Sequence, residues 1–257
     1  MENQAKKRKF VNIGKIFTLV FCAVALGLTF TLADLFSSLI TVGGFTFTNS
    51  DISIPKYTLY AVCTASASTN SSAEQQSSLC KSQGGAGYIY LTNNSFNIVA
   101  SMYENEADAE KVVSNLKENN IDSNILNIEI PSISFNSSLT TQEKTTLEES
   151  ITIFKTCYKK LYDLSISLDT GVMNEVNIKL SINQLSSDIK AVCNNFNTVF
   201  DSQINNKLLN IKLKLDELYN KMDSLINYTT SLPLTSQIKN TYCCSIFLLK
   251  ELASALS

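Results

Sequence analysis

Residues 88–103 read YIYLTNNSFNIVASMY, two β-rich runs on either side of the polar turn sequence TNNS. Polar turn residues between alternating apolar positions are typical of a β-hairpin. A two-residue turn at the paired asparagines places Leu91 opposite Phe96 and Tyr90 opposite Asn97. This hairpin is the centre from which the rest of the module is predicted.

Strands and helices alternate on both sides of the hairpin. Residues 57–65 (YTLYAVCTA) and 125–130 are β-rich, whereas 71–82 and 106–119 have helical patterns. The element order over residues 56–131 is therefore βαββαβ. It predicts a ferredoxin-like sheet with two helices on one face.

Side-chain alternation assigns the two faces of that sheet. The side expected under the helices carries Phe96, Ile98 and Ala100 with Tyr60, Val62 and Thr64. The other face is expected to be open, and carries Tyr88, Tyr90, Asn97, Val99 and Ser101 beside Ala61 and Cys63. Tyrosines beside small polar groups suit sugar rings, which have apolar C–H faces and hydroxyl rims. The alternative is that these tyrosines only cover the sheet.

Three runs, YAVCTASAS, GGAGYIY and FNIVASMYENEADAEKVVSNL, resemble the SPOR (sporulation-related) domain over residues 57–131. The resemblance implies binding to peptidoglycan, as glycan strands stripped of stem peptides at division or sporulation septa. The family's first-strand Gln falls on Cys63, its following Ser on Ser66, and an aromatic position on Ser95, so that a glycan site here would depend on the two tyrosines. The face assignment and the resemblance together predict these glycan-binding residues: Cys63, Ser66, Tyr88, Tyr90, Asn97, Val99 and Ser101.

Residues 16–33 form an uncharged run of 18 residues, IFTLVFCAVALGLTFTLA, preceded by the basic cluster KKRK. As a helix this run is about 27 Å long, close to the thickness of a bilayer core. We therefore expect a cytoplasmic tail at 1–15, a transmembrane anchor at 16–42, a linker at 43–55 and an extracytoplasmic body. The alternative is a cleaved signal peptide ending near Ala33, which also places the body outside.

Apolar residues at 4-3 spacing fill residues 139–257, after a Ser/Thr-rich link at 132–141. The pattern predicts four helices interrupted near Gly171, before residue 204 and at Pro233. Short connections favour an antiparallel all-α bundle. An extended coiled coil that dimerises or docks a protein partner is the alternative.

Composition excludes several kinds of chemistry. The chain has no His and no CxxC pair, which excludes His-dependent catalysis and leaves no sign of a zinc site. Residues 1–15 carry a net charge of +4 and the whole chain carries −2, so the remaining residues carry −6. This negative charge disfavours binding to nucleic acid. The cysteines are expected to be buried thiols rather than a disulfide framework. No cofactor or metal is expected.

Three functions compete on this basis. The first is a membrane-anchored protein that binds peptidoglycan, and the second is an envelope scaffold whose bundle binds partners while the module has lost affinity for glycan. The third, a wall hydrolase, requires a carboxylate pair across a cleft. The module's acidic residues Glu104, Glu106, Asp108 and Glu110 instead belong to its second helix, so that no enzyme activity is expected.

Overall fold

The computed structural model describes residues 52–92, 95–135, 139–201, 205–227 and 231–256. These residues form a mixed α+β protein with more helix than strand. The strands are β1 (Ile52–Ile54), β2 (Tyr57–Ala67), β3 (Tyr88–Thr92), β4 (Ser95–Tyr103), β5 (Asn124–Ile130) and β6 (Ile133–Phe135). The helices are α1 (Asn70–Ser82), α2 (Glu106–Glu118), α3 (Thr141–Asp169), α4 (Glu175–Phe200), α5 (Asn206–Ile226) and α6 (Leu234–Leu256).

Four strands form one sheet in the order β3-β4-β2-β5, and all neighbours are antiparallel. The predicted order βαββαβ is confirmed, and so is the hairpin register, since Tyr90 pairs with Asn97 and Leu91 with Phe96. Helices α1 and α2 cover one face. There Ala73 and Cys80 of α1 pack with Ile98, and Val112 of α2 packs with Val62.

Two glycines allow α1 to end close against the sheet. A Cβ at Gly85 would lie 2.5 Å from Cys80 Sγ. At Gly87, where φ is +54°, a Cβ would lie 2.5 Å from the carbonyl oxygen of Ser77. Any side chain at either position would therefore push α1 away from the strand that follows it.

Helices α3 to α6 pack on one another in a ring, and each runs opposite to its neighbours. Lys207 Nζ, at the start of α5, donates to the carbonyl oxygen of Leu256, at the end of α6. Asn195, near the end of α4, donates to Thr146 near the start of α3. Short connections between successive helices produce this alternation of direction.

The first helix of this group begins with a capping box. Thr140 Oγ1 accepts from the Glu143 backbone N–H, and the Glu143 carboxylate accepts from the Thr140 N–H at 2.7 Å. This reciprocal pair satisfies amide groups that the first turn leaves without intrahelical partners. It fixes where α3 starts, directly after the segment that links it to the sheet.

Sheet and helices share one hydrophobic core. The face of the sheet opposite α1 and α2 packs its Leu59, Val99 and Ile128 against apolar side chains of α3 and α6. Helix α6 lies between the sheet and the other helices, which explains why most of its side chains are buried. A helix that is apolar on all sides belongs inside a protein, and α6 has that position.

No helix in the described part of the chain is both long and apolar enough to cross a bilayer. The predicted tail at 1–15 and the predicted anchor at 16–42 lie outside the described residues. Two segments predicted to be linkers contain short strands instead. Ile52–Ile54 pairs antiparallel with Ile133–Phe135, and the paired residues Ile54 and Ile133 are both buried in the core.

Candidate functional site

The residues predicted to bind glycan occupy two neighbouring rows across the sheet. Residues directly opposite one another in an antiparallel sheet share a face. One row consists of Cys63, Val99 and Tyr88, and the next of Ser66, Asn97 and Tyr90. The structure therefore brings six of the seven predicted residues together on the face opposite α1 and α2.

That face is not open, and the expectation that it would be is wrong. Phe247 of α6 lies on the tyrosine pair, with its ring centroid 4.7 Å from that of Tyr88 at an interplanar angle of 7°. The ring of Tyr90 is stacked on the same side chain, at 4.3 Å and 24°. Both tyrosine faces that a sugar would contact are therefore in contact with a phenylalanine of the same chain.

In the row of Cys63, Val99 and Tyr88, the first two residues are closed to ligands and Tyr88 is half-buried. Cys63 and Val99 are 1% and 0% exposed. Burial raises the pKa of the Cys63 thiol to about 12, with a smaller contribution from Cys80. A buried thiol with a raised pKa is typical of an unreactive structural cysteine.

Ser101 is the one predicted residue that lies on the opposite face. It pairs with Val62, which packs against α2, whereas the next pair is Cys63 with Val99. Ala100 is skipped in this pairing, and one residue of β2 is skipped just beyond, so both strands are bulged. Because a bulge places two consecutive residues on one side of a sheet, the alternation counted along β4 fails after Ala100.

The outer row is more accessible but partly engaged. Ser66 is exposed and Asn97 is half-buried. The amide of Asn97 donates to Thr92 Oγ1 at 2.6 Å, which holds it along the hairpin. Lys250 Nζ of α6 lies 5.4 Å from the centroid of the Tyr90 ring, within the range of a cation–π contact. The part of the predicted site that solvent reaches is thus the edge formed by Ser66 and its neighbours.

The six described cysteines are all free and buried, which confirms the expectation of buried thiols. Burial raises the pKa of Cys193 and of Cys244 to about 11 in each case. In the described ranges no group of three or more Cys, Asp or Glu side chains is arranged to hold a metal ion. The thiols therefore serve as small apolar side chains in the core.

Two of the module's acidic residues, Glu104 and Asp108, lie close to lysine side chains. Glu104 lies 3.9 Å from Lys155 and 3.8 Å from Lys159, both on α3. Asp108 forms an ion pair with Lys111 at 3.2 Å, one turn along α2. These contacts tie α3 to the end of β4 and give a solvated charged surface.

Phe247 is the residue of this region that sequence reasoning missed. Its helix contains the run YCCSIFLLKELASAL, which is apolar on nearly every side, and such a run indicates a helix with two buried faces. No family model matches the chain, and neither a curated protein nor a solved structure matches it. The resemblance to the SPOR domain therefore remains a prediction from the residues that carry it.

Proposed function

We propose that this chain is a non-enzymatic, membrane-anchored scaffold of the cell envelope. In this proposal residues 56–131 are a ferredoxin-like, SPOR-like module that supports the antiparallel bundle instead of binding glycan. The observation that carries the proposal is Phe247, which stacks on Tyr88 and Tyr90 and covers the face on which the glycan site was predicted.

Uncovering that face would require α6 to leave the bundle as well as the sheet. Ile246 and Leu252, which flank Phe247 along the helix, are both 0% exposed. Each fully buried aliphatic side chain contributes about 1.5–3 kcal/mol relative to exposure. Moving the whole helix would therefore cost a free energy comparable to the total stability of a domain.

Exposed apolar side chains on the outer surfaces of α4 and α5 support the scaffold role. Val176 and Leu180 on α4 are 68% and 62% exposed, and Leu213 on α5 is 55% exposed. Leu209, one turn before Leu213, is 40% exposed. Large apolar side chains spaced one turn apart on a helix surface are a common form of protein contact site. We assign protein binding to the bundle on this basis.

Glycan binding is the second candidate, and the outer row of the sheet supports it. Ser66 is exposed, and Asn97 and Tyr90 are half-buried, so an edge of the predicted site remains accessible. Peptidoglycan would then contact this edge rather than the tyrosine faces. One exposed row provides a single stacking position at most, for which affinity would be weak.

The membrane anchor and the extracytoplasmic position of the body remain part of the proposal. Their support is the uncharged run at 16–33 and the basic tail before it. A carbonate wash that leaves the full-length chain in the membrane supports the anchor, and a mature N-terminus near Asp34 refutes it. Cleavage from outside at a protease site inserted in the 136–138 segment tests the orientation.

A sacculus pull-down separates scaffold from glycan binder. The full chain is incubated with purified sacculi, with and without amidase treatment, and compared with the variant Tyr88→Ala/Tyr90→Ala. The scaffold proposal expects no retention above background in either preparation. Saturable retention that amidase treatment increases, and that the double variant reduces, would show instead that the sheet binds glycan.

Cross-linking in cells tests the protein-binding surface. Leu213→Glu should abolish cross-links between the bundle and its partner without changing thermal stability. The matched control is Leu79→Glu on α1, because Leu79 is exposed to almost the same extent, 53% against 55%. Equal cross-linking in both variants would show that the outer surface of α5 is not the contact site.

A further inference from the structure

Strand β3 forms one edge of the four-stranded sheet, since the strand order is β3-β4-β2-β5. It pairs with β4 over its whole length, from Tyr88 opposite Val99 to Thr92 opposite Ser95. Helices α1 and α6 cover the two faces of the sheet, and both contact β4 more extensively than β3. The outer side of β3 is therefore a free strand edge in the described part of the chain.

The backbone groups on this edge follow from the geometry of the hairpin. Two residues separate Thr92 from Ser95, so these residues close the hairpin as a hydrogen-bonded pair. Hydrogen-bonded pairs recur at every second residue of an antiparallel ladder, and the residues between them direct their N–H and C=O groups to the other side. The groups of Ile89 and Leu91 therefore point away from β4. No backbone hydrogen bond between described residues engages them on that side.

This edge lacks the features that usually protect one. Natural sheets commonly protect an edge with charged side chains, Pro or a bulge. Residues 88–92 (YIYLT) contain neither a charged residue nor Pro, and their register with β4 is regular. Leu91 is 57% exposed, and Ile89 is half-buried. The opposite edge, β5, carries the exposed charge of Glu129. Of the two edges, β3 is the one suited to accept another strand.

We infer that β3 pairs antiparallel with β3 of a second copy of this chain, about a two-fold axis at Tyr90. Ile89 of each copy then lies opposite Leu91 of the other, and each of these pairs exchanges both of its backbone hydrogen bonds. The exposed Leu91 side chain packs beside Ile89 of the second copy, on the face that α1 covers. One contact thus satisfies both the outward backbone groups and the apolar side chains of the edge.

A register centred on Tyr90 uses the entire strand. It places every residue of 88–92 opposite a residue of the same range in the second copy. A register centred on Ile89 or Leu91 would instead place strand residues opposite the turn or opposite the glycine that precedes β3. The strand also carries no charge that would repel its own copy. A second copy therefore fits this edge without any change in the strand.

The joined sheet favours a closed dimer over an open assembly. Two-fold pairing uses the same edge of both copies, so the joined sheet has β5 at both ends. The charge of Glu129 on β5 disfavours the addition of further strands. A contact through one strand of 5 residues is small beside the standard interface of about 1,200–2,000 Å², so the dimer should be weak and reversible. This inference does not rest on the scaffold proposal, which concerns the outer surfaces of α4 and α5.

Cysteine cross-linking tests both the pairing and its register. Samples of the full chain carrying Ile89→Cys or Leu91→Cys are oxidised with copper phenanthroline in detergent micelles, separately and after mixing. Opposite residues place their Cα atoms about 5.5 Å apart, within the range of a disulfide, whereas copies of the same residue lie on a diagonal of about 7–8 Å, beyond that range. We expect a linked dimer in the mixed sample and only the wild-type background in each separate sample. The six described native cysteines are buried, which keeps this background low.

Sedimentation equilibrium of the full chain in micelles measures the strength of association. Leu91→Pro removes an outward N–H that the chain's own sheet does not use, so it should weaken association at least about tenfold and leave thermal stability unchanged. Leu91→Lys places a charge on the edge and should weaken association as well. Leu79→Lys on α1 is the matched control, because Leu79 is 53% exposed and Leu91 is 57% exposed.

Three results would overturn the inference. Absence of a linked dimer in the mixed sample would show that the edge does not pair with a second copy and is left for water or for an extended strand of another protein. Linkage of Leu91→Cys with itself, as strong as in the mixed sample, would show a different contact. Equal association of wild type, Leu91→Pro and Leu79→Lys would place any dimer contact elsewhere, such as the predicted anchor. The cross-linking result stands even if Leu91→Pro fails to fold.

Discussion

The contact between Phe247 and the tyrosine pair leads to a quantitative prediction. Phe247 is 2% exposed, and its ring is stacked on Tyr88 and Tyr90. Truncation of a buried phenylalanine to alanine typically costs about 3–5 kcal/mol, which includes the lost burial and the cavity. Because Phe247 also forms two stacked pairs, we expect Phe247→Ala to cost about 4 kcal/mol.

Thermal and urea unfolding of the full chain, followed by circular dichroism, measure this effect. For domains of this size about 1 kcal/mol lowers Tm by roughly 2–4 °C, so that Tm should fall by about 8–16 °C. Phe247→Leu keeps most of the volume and should cost less than about 2 kcal/mol. The same loss should appear in signals from strands and helices together, since both use one core.

A double-mutant cycle with Tyr88→Ala isolates the stacking itself. Tyr88→Ala should destabilise the Phe247→Ala background less than the wild type, by about 0.5–1.5 kcal/mol. A coupling energy near zero, together with a stability loss below about 1 kcal/mol for Phe247→Ala, would refute the reasoning. In that case α6 would not rest on the sheet, and the predicted glycan face would be open.

Three further predictions concern the helices. Leu215→Asp places a charge at a side chain that is 1% exposed and should cost about 4 kcal/mol or more in urea unfolding. Leu213→Asp, at a side chain that is 55% exposed, should change stability by less than about 0.5 kcal/mol. Equal effects of the two changes would contradict the orientation of α5. Lys239→Met removes the ammonium that lies 2.6 Å from the Asp169 carboxylate, at side chains that are 6% and 11% exposed. It should cost about 3–5 kcal/mol at pH 7, and a loss below about 1 kcal/mol would contradict the contribution of this ion pair. Burial raises the pKa of Asp163 to about 6, while the charge of Lys159 opposes this shift and the charge of Glu104 adds to it. The folded state therefore binds more protons than the unfolded state between about pH 4 and 6, and stability should fall by about 1 kcal/mol or less as pH rises through this window at this partly exposed site. Asp163→Asn should remove that slope in Tm measured against pH.

Local patterns were sufficient to predict most elements of the fold. The helices expected at 71–82 and 106–119 are found at Asn70–Ser82 and Glu106–Glu118. The register of Tyr90 with Asn97 is also as predicted, because the turn length fixes it. These features depend on residues that are close together in sequence, so a single sequence contains their signal.

The face of Ser101 could not be predicted from alternation. A bulge depends on how two strands fit against the packed side chains around them, and no residue type in β4 marks it. The alternation was correct up to Ala100 and wrong at the next residue. One error in counting was enough to move a predicted ligand contact to the opposite side of the sheet.

The packing of α6 against the sheet could not be predicted for a different reason. Phe247 and Tyr88 are far apart in sequence, and nothing local to either residue shows that they meet. The apolar character of α6 on all sides did indicate that it needs two neighbouring layers. The second layer is the sheet, on which Phe247 stacks against Tyr88 and Tyr90. The strand pair β1–β6 was missed because three-residue strands carry too weak a pattern.

The pairing of β1 with β6 also determines how the molecule responds to mechanical load. Ile52 lies opposite Phe135, so the chain segments that precede and follow the four-stranded module lie side by side at this strand pair. Tension applied between these two ends acts on one pair of opposite residues at a time, beginning with Ile52 and Phe135 and ending with Ile54 and Ile133. Strands loaded in this direction separate at much lower force than strands sheared along their length. Under tension this short pair would therefore yield first, while the four-stranded sheet and the bundle behind it keep their shape.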